Sequence, residues 1–385
     1  MSRHYFDYAA ATPLDPEVAK VMTAASQLVG NPSSLHAEGR AVRHCLETAR
    51  SEIAASCNAR SEEIILTSSA TESNNLAIFG VLTAAGVSDG EVISLATEHL
   101  ASKRPCEVIA ASGHTVQWAP IDESGFVNAA AVSKLVTDNT ILITISLATS
   151  EIGSLQPVSE ICRVVSKIRL DRRSRGVDTP LLVHTDAASA VGLVSIAVDK
   201  LGVDLMTISA AKIYGPAGAA ALYVRKGTAL TPLIIGGGQE RSLRAGTENV
   251  AAITGFAAAL QQAEAQRKAE VTRLTALRES LWEQLAKLPG LQRNSPSQRC
   301  LANLLNVSCE GHDGEDLVLK LDAAGIAVAT GAACVASSHQ PSHVLLALGY
   351  DTERAQSSLR ISLGRQTTAA SLTALVKALA DILKA

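Results

Sequence analysis

The sequence predicts an α/β fold built on a large, mostly parallel sheet with a smaller α+β domain beside it, and three observations carry that expectation. Short β-branched or apolar runs alternate with longer Ala/Leu-rich stretches, the pattern of parallel strands joined by crossover helices. A long helical stretch then stops at a Pro-Gly pair, and a second, shorter set of strands follows it. The 385 residues, 47% of them hydrophobic, are enough for a large core or two domains.

Seven strands are expected near EEIILTSS (62–69), EVISLATE (91–98), TVQWAPI (115–121), TILITISLA (140–148), PLLVHTDA (180–187), LMTISA (205–210) and GAAALYVR (218–225). The stretch KIRLDRRSRGVDTP (167–180) reads as a basic, turn-like surface loop. Residues 256–288 read as one long helix that bridges two domains and ends at Pro289-Gly290. Beyond it come strands at 303–310, 325–332 and 357–364 and a terminal amphipathic helix, SLTALVKALADILKA. The division expected is a large domain, 14–255, and a small domain made of 1–13 together with 256–385.

Composition removes several function classes. A net charge of -3 with no block of like charge gives no footprint for nucleic acid or a membrane surface. No run reads as a membrane span and MSRHYFDYAAATP lacks a secretory signal's apolar region, so the cytosol is the expected compartment. Seven cysteines without CxxC pairing argue against a disulfide framework and against a zinc site, and no metal is expected.

The candidate chemistry sits where strands end. In TISAAKIYGPAG (207–218), Lys212 follows an apolar strand and precedes a Tyr-Gly-Pro turn; ligands bind at the carboxyl ends of such strands, and a partly desolvated lysine there is a Schiff-base nucleophile. A lysine simply leaving the core is the plain alternative. In HTDAASAVG (184–192), Asp186 ends a strand at the same rim, either as a helix cap or as the carboxylate that a pyridinium nitrogen requires. LTSSATESNN (66–75) runs from strand to helix, where Ser69, Ala70 and Thr71 would cup a phosphate or merely cap the helix. His99 in EHLAS follows another strand and would stack on a ring and move protons, or be structural. Cys334 lies in a stretch rich in Ala, Ser and Gly. Arg360, inside the apolar strand SSLRISLGR, needs a carboxylate partner, either a substrate's or an internal one.

Taken together, the segments YFDYAAATPLDP, GNPSSLH, SSATESNNLAI, TEH, EIGSLQP, HTDA, AKIYGPAG, GGGQERSLRAGTENV, TGAACVAS and RISLGR resemble, in collinear order over nearly the whole chain, the cysteine desulfurases of the NifS/IscS kind. The resemblance implies the aspartate-aminotransferase-like fold of pyridoxal-phosphate enzymes (type I), a homodimer, pyridoxal 5'-phosphate as cofactor, L-cysteine as substrate and a sulfur-acceptor protein as partner. It gives Lys212 the Schiff base, Asp186 the pyridinium, and His99 stacking and proton transfer. Phosphate contacts fall to Ala70, Thr71 and Ser209, with Thr247 reaching the phosphate of the neighbouring subunit. Cys334 matches the persulfide cysteine, Arg360 the carboxylate anchor and Asn31 its neighbour. Three positions depart from the family's pattern: Thr149-Ser150 stands for Asn-Asn, Ser189 for Gln and Ala211 for His. Ser150 and Ser189 are thereby placed against the cofactor with shorter side chains, each lost hydrogen bond costing roughly 1.5–3 kcal/mol. A specialised or slow desulfurase is the expectation; a lyase acting on selenocysteine or cysteine sulfinate, or a degenerate paralogue that binds without catalysing, is the alternative.

Overall fold

A computed structural model describes residues 3–331 and 340–384. Along the chain run β1 (His4–Tyr5), α1 (Pro16–Ser26), α2 (Ala37–Ser56), β2 (Ile64–Thr67), α3 (Ala70–Ala85), β3 (Glu91–Ser94), α4 (Leu100–Ala111), β4 (Thr115–Trp118), α5 (Ala129–Leu135) and β5 (Thr140–Thr144). There follow α6 (Val158–Ser174), β6 (Leu182–Asp186), α7 (Val198–Leu201), β7 (Leu205–Ser209), β8 (Ala220–Val224) and α8 (Val250–Leu285). The chain continues through β9 (Leu291–Arg293), β10 (Leu304–Cys309), α9 (Gly314–Ala323), β11 (Ile326–Ala327), β12 (Ala329–Thr330), α10 (His343–Ala347), α11 (Thr352–Gln356), β13 (Ser358–Ser362) and α12 (Ala369–Ile382).

The seven expected strands form one sheet, in the order β2-β8-β7-β6-β5-β3-β4. All neighbours from β7 to β4 pair in parallel, and β8 alone runs against both of its neighbours. Strands such as ILE-rich β2 and β5 are buried along their whole length because helices cover both faces. Alternate residues feed opposite faces: Ile64, Met206 and Ala221 join one apolar cluster, Ile65, Leu205 and Leu222 the other. Every strand is shorter than its apolar run. In TILITISLA the ladder ends at Thr144, while Ile145 and Leu147 stay buried in the loop beyond and donate N–H bonds to His184 O (3.1 Å) and Asp186 O (2.9 Å).

A second sheet, β12-β13-β10-β9, has a separate core around Leu305, Val307, Leu359, Ile361, Leu321 and Leu375. The 36-residue α8, about 54 Å long at 1.5 Å per residue, connects the two. Its Ile253, Phe256 and Leu260 lie in the first core and its Leu274, Leu281 and Leu285 in the second. At the start of the chain, β1 pairs in parallel with β11, Tyr5 opposite Ala327, and Phe6 enters the second core.

One expectation is corrected. Residues 167–174 are not loop but the last two turns of α6, and only 175–180 turn away. Val158, Ile161, Cys162, Val165 and Arg172 share its buried side. Arg172 occupies a core-facing position by donating its guanidinium to the carbonyls of Thr137, Thr140 and Thr179, so a helix face closed by an arginine gave the stretch the look of a surface loop.

Candidate active site

Strands β2, β3, β5, β6 and β7 all end at one rim, and the loops leaving them line a cavity of about 260 Å³. Its walls include Ala70, Thr71, His99, Ser150, Asp186, Ser189, Lys212 and Arg360, eight residues drawn from six separate segments expected to matter.

Lys212 ends a short 3-10 turn after β7. Its Nζ donates to the carbonyls of Ala9 (2.7 Å) and Ala10 (2.6 Å), so the segment after β1 crosses in front of it. Asp186 closes β6. Its Oδ2 accepts from Asn74 Nδ2 at 2.6 Å and its Oδ1 from the Ala188 N–H at 2.9 Å, which fixes the carboxylate plane. Asn74 is fully buried in α3, and its Oδ1 has no partner among the described residues. Nothing local in SSATESNN marks Asn74, whose partner Asp186 is brought to it by the fold.

Ser69 caps α3, accepting from Glu72 N–H at 3.1 Å, and Ala70 and Thr71 open the first turn at the cavity. Glu72 accepts from Arg244 Nε at 2.8 Å. Burial pushes the Glu72 carboxyl upward, but the bonds from Arg244 and Ser68 hold it below the usual range, so the carboxylate stays charged. Arg244 thereby ties the segment that carries Thr247 to the start of α3. The same segment is pinned by Glu240, buried at 4% exposure, which accepts from Arg50 Nη1 (2.6 Å) and Nη2 (2.7 Å) and from Leu66 N–H (2.7 Å). Glu240, Arg241 and Ser242 all take positive φ, a run of left-handed non-glycine backbone that this pairing holds in place.

His99 caps α4 by accepting the Ala101 N–H at Nδ1, 3.1 Å, which leaves the neutral ring's proton on Nε2. Beside it Glu98 is buried and accepts from the Ser146 N–H (2.8 Å) and hydroxyl. Burial, with Asp186 nearby, pushes Glu98 up to about 7 against the pull of those bonds. Arg360 Nη2 donates to Asp7 Oδ1 at 3.0 Å, and its Nε has no partner among the described residues. The internal carboxylate takes Nη2, and Nη1 donates to the Ser150 carbonyl at 3.5 Å.

Three expected residues lie elsewhere. Ser209 is buried at the end of β7, outside the residues lining the cavity. Thr247 and Asn31 are exposed and do not line it either; Asn31 Oδ1 accepts from the Ser33 N–H at 2.8 Å. Cys334 lies outside the described residues. Among the six described cysteines none lines the cavity, and burial pushes Cys57, Cys106, Cys162 and Cys309 up to about 12 and Cys300 to about 11. A larger cavity of about 520 Å³ opens at the opposite rim among Arg169, Arg172, Arg173, Asp204 and Arg225, without a comparable amine, carboxylate and imidazole set.

An amine, a fixed carboxylate, an imidazole and a helix N-terminus facing one cavity fit pyridoxal phosphate: a carbonyl to be bound, a ring nitrogen to be protonated, a ring face and a phosphate. The fold and site define a pyridoxal-phosphate enzyme of the α/β class. The model of the class-V aminotransferase family matches residues 4–375, and the chain belongs to that family. The chain is 42% identical to the cysteine desulfurase IscS of Dictyoglomus turgidum, over 94% of this chain and 90% of the relative, and 38% identical to that of Methanosarcina thermophila, over 99% and 92%. Among solved structures, a NifS-like protein superposes with a TM-score of 0.91 at 34% identity, covering 99% of both chains. One described as SspA in complex with cysteine gives 0.80 at 32%, covering 94% of this chain and 98% of the other. The chain is thus a member of the cysteine desulfurases within the class-V family.

Proposed function

We propose that this chain removes sulfur from L-cysteine, releasing L-alanine and keeping the sulfur as a persulfide on Cys334. The observation that carries the reading is the convergence of Lys212, Asp186 and His99 on one cavity that also holds Arg360. Pyridoxal phosphate, when bound, supplies an electron sink for the bonds at the substrate's α-carbon.

The chain's own residues do the rest. Lys212 would hold the cofactor covalently, and the Ala9 and Ala10 carbonyls accept from its free Nζ. Asp186, held flat by Asn74 and Ala188, would keep a proton on the ring nitrogen. Ala70 and Thr71 at the start of α3 would receive the phosphate, helped by Ser209 and by Thr247 of a second copy, and Ser150 and Ser189 line the same cavity and would lie near the cofactor. Arg360 takes the substrate carboxylate, with Asn31 beside it, and His99 moves protons near neutral pH. The Cys334 thiolate attacks the substrate sulfur: an S–S bond forms, the Cβ–S bond breaks, and Cβ takes a proton to complete alanine.

The same reading makes the protein a cytoplasmic homodimer that hands sulfur to an acceptor protein, with 14–255 as its cofactor-binding domain and 1–13 with 256–385 as its small domain. No described helix is long and apolar enough to cross a membrane. The test is an absorption spectrum of the purified protein before and after L-cysteine, with alanine and sulfide assayed for wild type and Cys334→Ser. A visible cofactor band that responds to cysteine, with alanine formation lost in the variant, is expected. Alanine formation that survives in the variant would point to a different lyase, and a colourless protein that stays inert with added cofactor would point to a binding role.

A further inference from the structure

The described residues on either side of 332–339 meet at one buried carboxylate. Glu151 is 5% exposed, and its Oε1 accepts from the hydroxyl of Ser342, itself 1% exposed. Ser342 Oγ in turn accepts the Leu345 N–H at 3.1 Å and caps α10. On the near side, Gly331 packs on the same carboxylate: a Cβ there would lie 2.7 Å from Glu151 Oε1 and 2.4 Å from Ser358 Oγ, so a side chain there would displace them. The Glu151 carbonyl is held by Asn306 Nδ2 at 3.2 Å, and Asn306 is fully buried in β10.

A second tie runs parallel. His343 Nε2 donates to the Glu98 carbonyl at 2.9 Å, and burial pushes the His343 pKa down, so the ring stays neutral and keeps that donor. Glu98 precedes His99 and Glu151 follows Ser150, both of which line the cavity. Each anchor therefore sits one residue from the cavity wall. Covalent geometry limits a residue three positions from Gly331 to about 11 Å of it, so where Gly331 is held decides where that residue can go.

We propose that Glu151 is a positioning residue that fixes Gly331 and Ser342 against the cavity wall, so that sulfur transfer to Cys334 depends on it while cofactor binding does not. This rests on the reading of Cys334 as the sulfur acceptor. A directional bond to a buried carboxylate sets a position that apolar packing alone would let slip, and a misplacement of about 1 Å between reacting groups costs on the order of 100-fold in rate.

The experiment uses the full-length protein loaded with pyridoxal phosphate, as wild type, Glu151→Gln, Glu151→Ala, Ser342→Ala and the Glu151→Ala/Ser342→Ala double variant. Persulfide on the Cys334 peptide is trapped by alkylation and counted by mass spectrometry in a single turnover. Glu151→Ala is expected to slow labelling by roughly 100-fold and Ser342→Ala by roughly 10-fold, with the double variant no slower than Glu151→Ala because Ser342 acts through Glu151. Glu151→Gln, whose amide oxygen still accepts from Ser342, should stay within a few-fold of wild type. The cofactor band and its response to cysteine should be unchanged throughout. In cofactor-free protein, amide exchange across His343–Ala347 should quicken in both alanine variants.

Wild-type labelling in Glu151→Ala would overturn the inference, as would loss of the cofactor band in step with labelling. If wild type makes alanine without labelling Cys334, the parent reading fails and this one falls with it; that result is read in wild type alone, so the two failures are distinguishable.

Discussion

Asn74 orients the carboxylate of Asp186 from a position 112 residues away in sequence. Removing a hydrogen bond to a charged group costs roughly 1.5–3 kcal/mol, so Asn74→Ala should weaken pyridoxal phosphate binding at least 10-fold, measured by titrating cofactor-free protein. Lys212 and Asp186 were legible in the sequence because each ends an apolar run, whereas Asn74 was not, since its role is given by a partner that only the fold brings near. Ser189 is the mirror case, with a position the sequence identified and a side chain too short for the contact implied there. Ser189→Gln should tighten cofactor binding, by the same titration. Two buried groups make stability depend on pH in opposite senses. His184, held between Thr144 Oγ1 (2.9 Å) and Thr207 Oγ1 (3.1 Å), is pushed down to about 3 by burial. Below its unfolded value of about 6.5 the unfolded chain takes a proton that the native one refuses, so stability falls with falling pH by about 1.4 kcal/mol per unit. Glu98, raised to about 7 from 4.5, does the reverse: its contribution is full below 4.5 and lost as pH rises through 7. Between about 4.5 and 6.5 the two slopes cancel. Glu98→Gln should uncover the His184 slope in that window, seen as a urea midpoint that drops with pH where wild type's holds steadier.

At the scale of elements, the turn that delivers Ser150 to the cavity is closed by the Gly153 N–H donating to Thr149 O at 2.9 Å and the Thr149 N–H donating to Ser154 O at 3.0 Å. Gly153 has φ +82°, and a Cβ on it would meet Cys300 Sγ at 2.8 Å. Gly153→Ala is therefore both strained and overpacked, and it should cost roughly 1–3 kcal/mol, visible as a lowered melting temperature. The seven strands of the large sheet were legible because parallel strands buried on both faces leave continuous apolar runs. Their carboxyl ends were overextended because the loops that build the cavity are as buried as the strands. The end of α6 was misread for a related reason: an arginine that buries itself on three carbonyls carries no hydrophobic signal. Short strands such as β1 and β9, two and three residues long, fall below any period that a sequence can display.

Across the whole molecule, one helix holds residues of both cores, with Phe256 in the first and Leu281 in the second, each fully buried. Leu281→Ala should cost about 2–5 kcal/mol, and hydrogen exchange should quicken in β10 and β13 more than in β5 and β7, because the cavity it leaves lies in the second core. Equal quickening in both sheets would mean that α8 welds them into one cooperative unit. The pairing of Tyr5 with Ala327 has a consequence for biosynthesis. The two are 327 − 5 = 322 positions apart, so at about 5–20 residues per second the opening segment waits roughly 15–65 s for its partner strand to be made. During that interval Phe6 has no core to enter, and the carbonyls that receive Lys212 hang from an unpaired strand. The emerging polypeptide can complete the large sheet early, but its catalytic machinery is assembled only after β11 has been made.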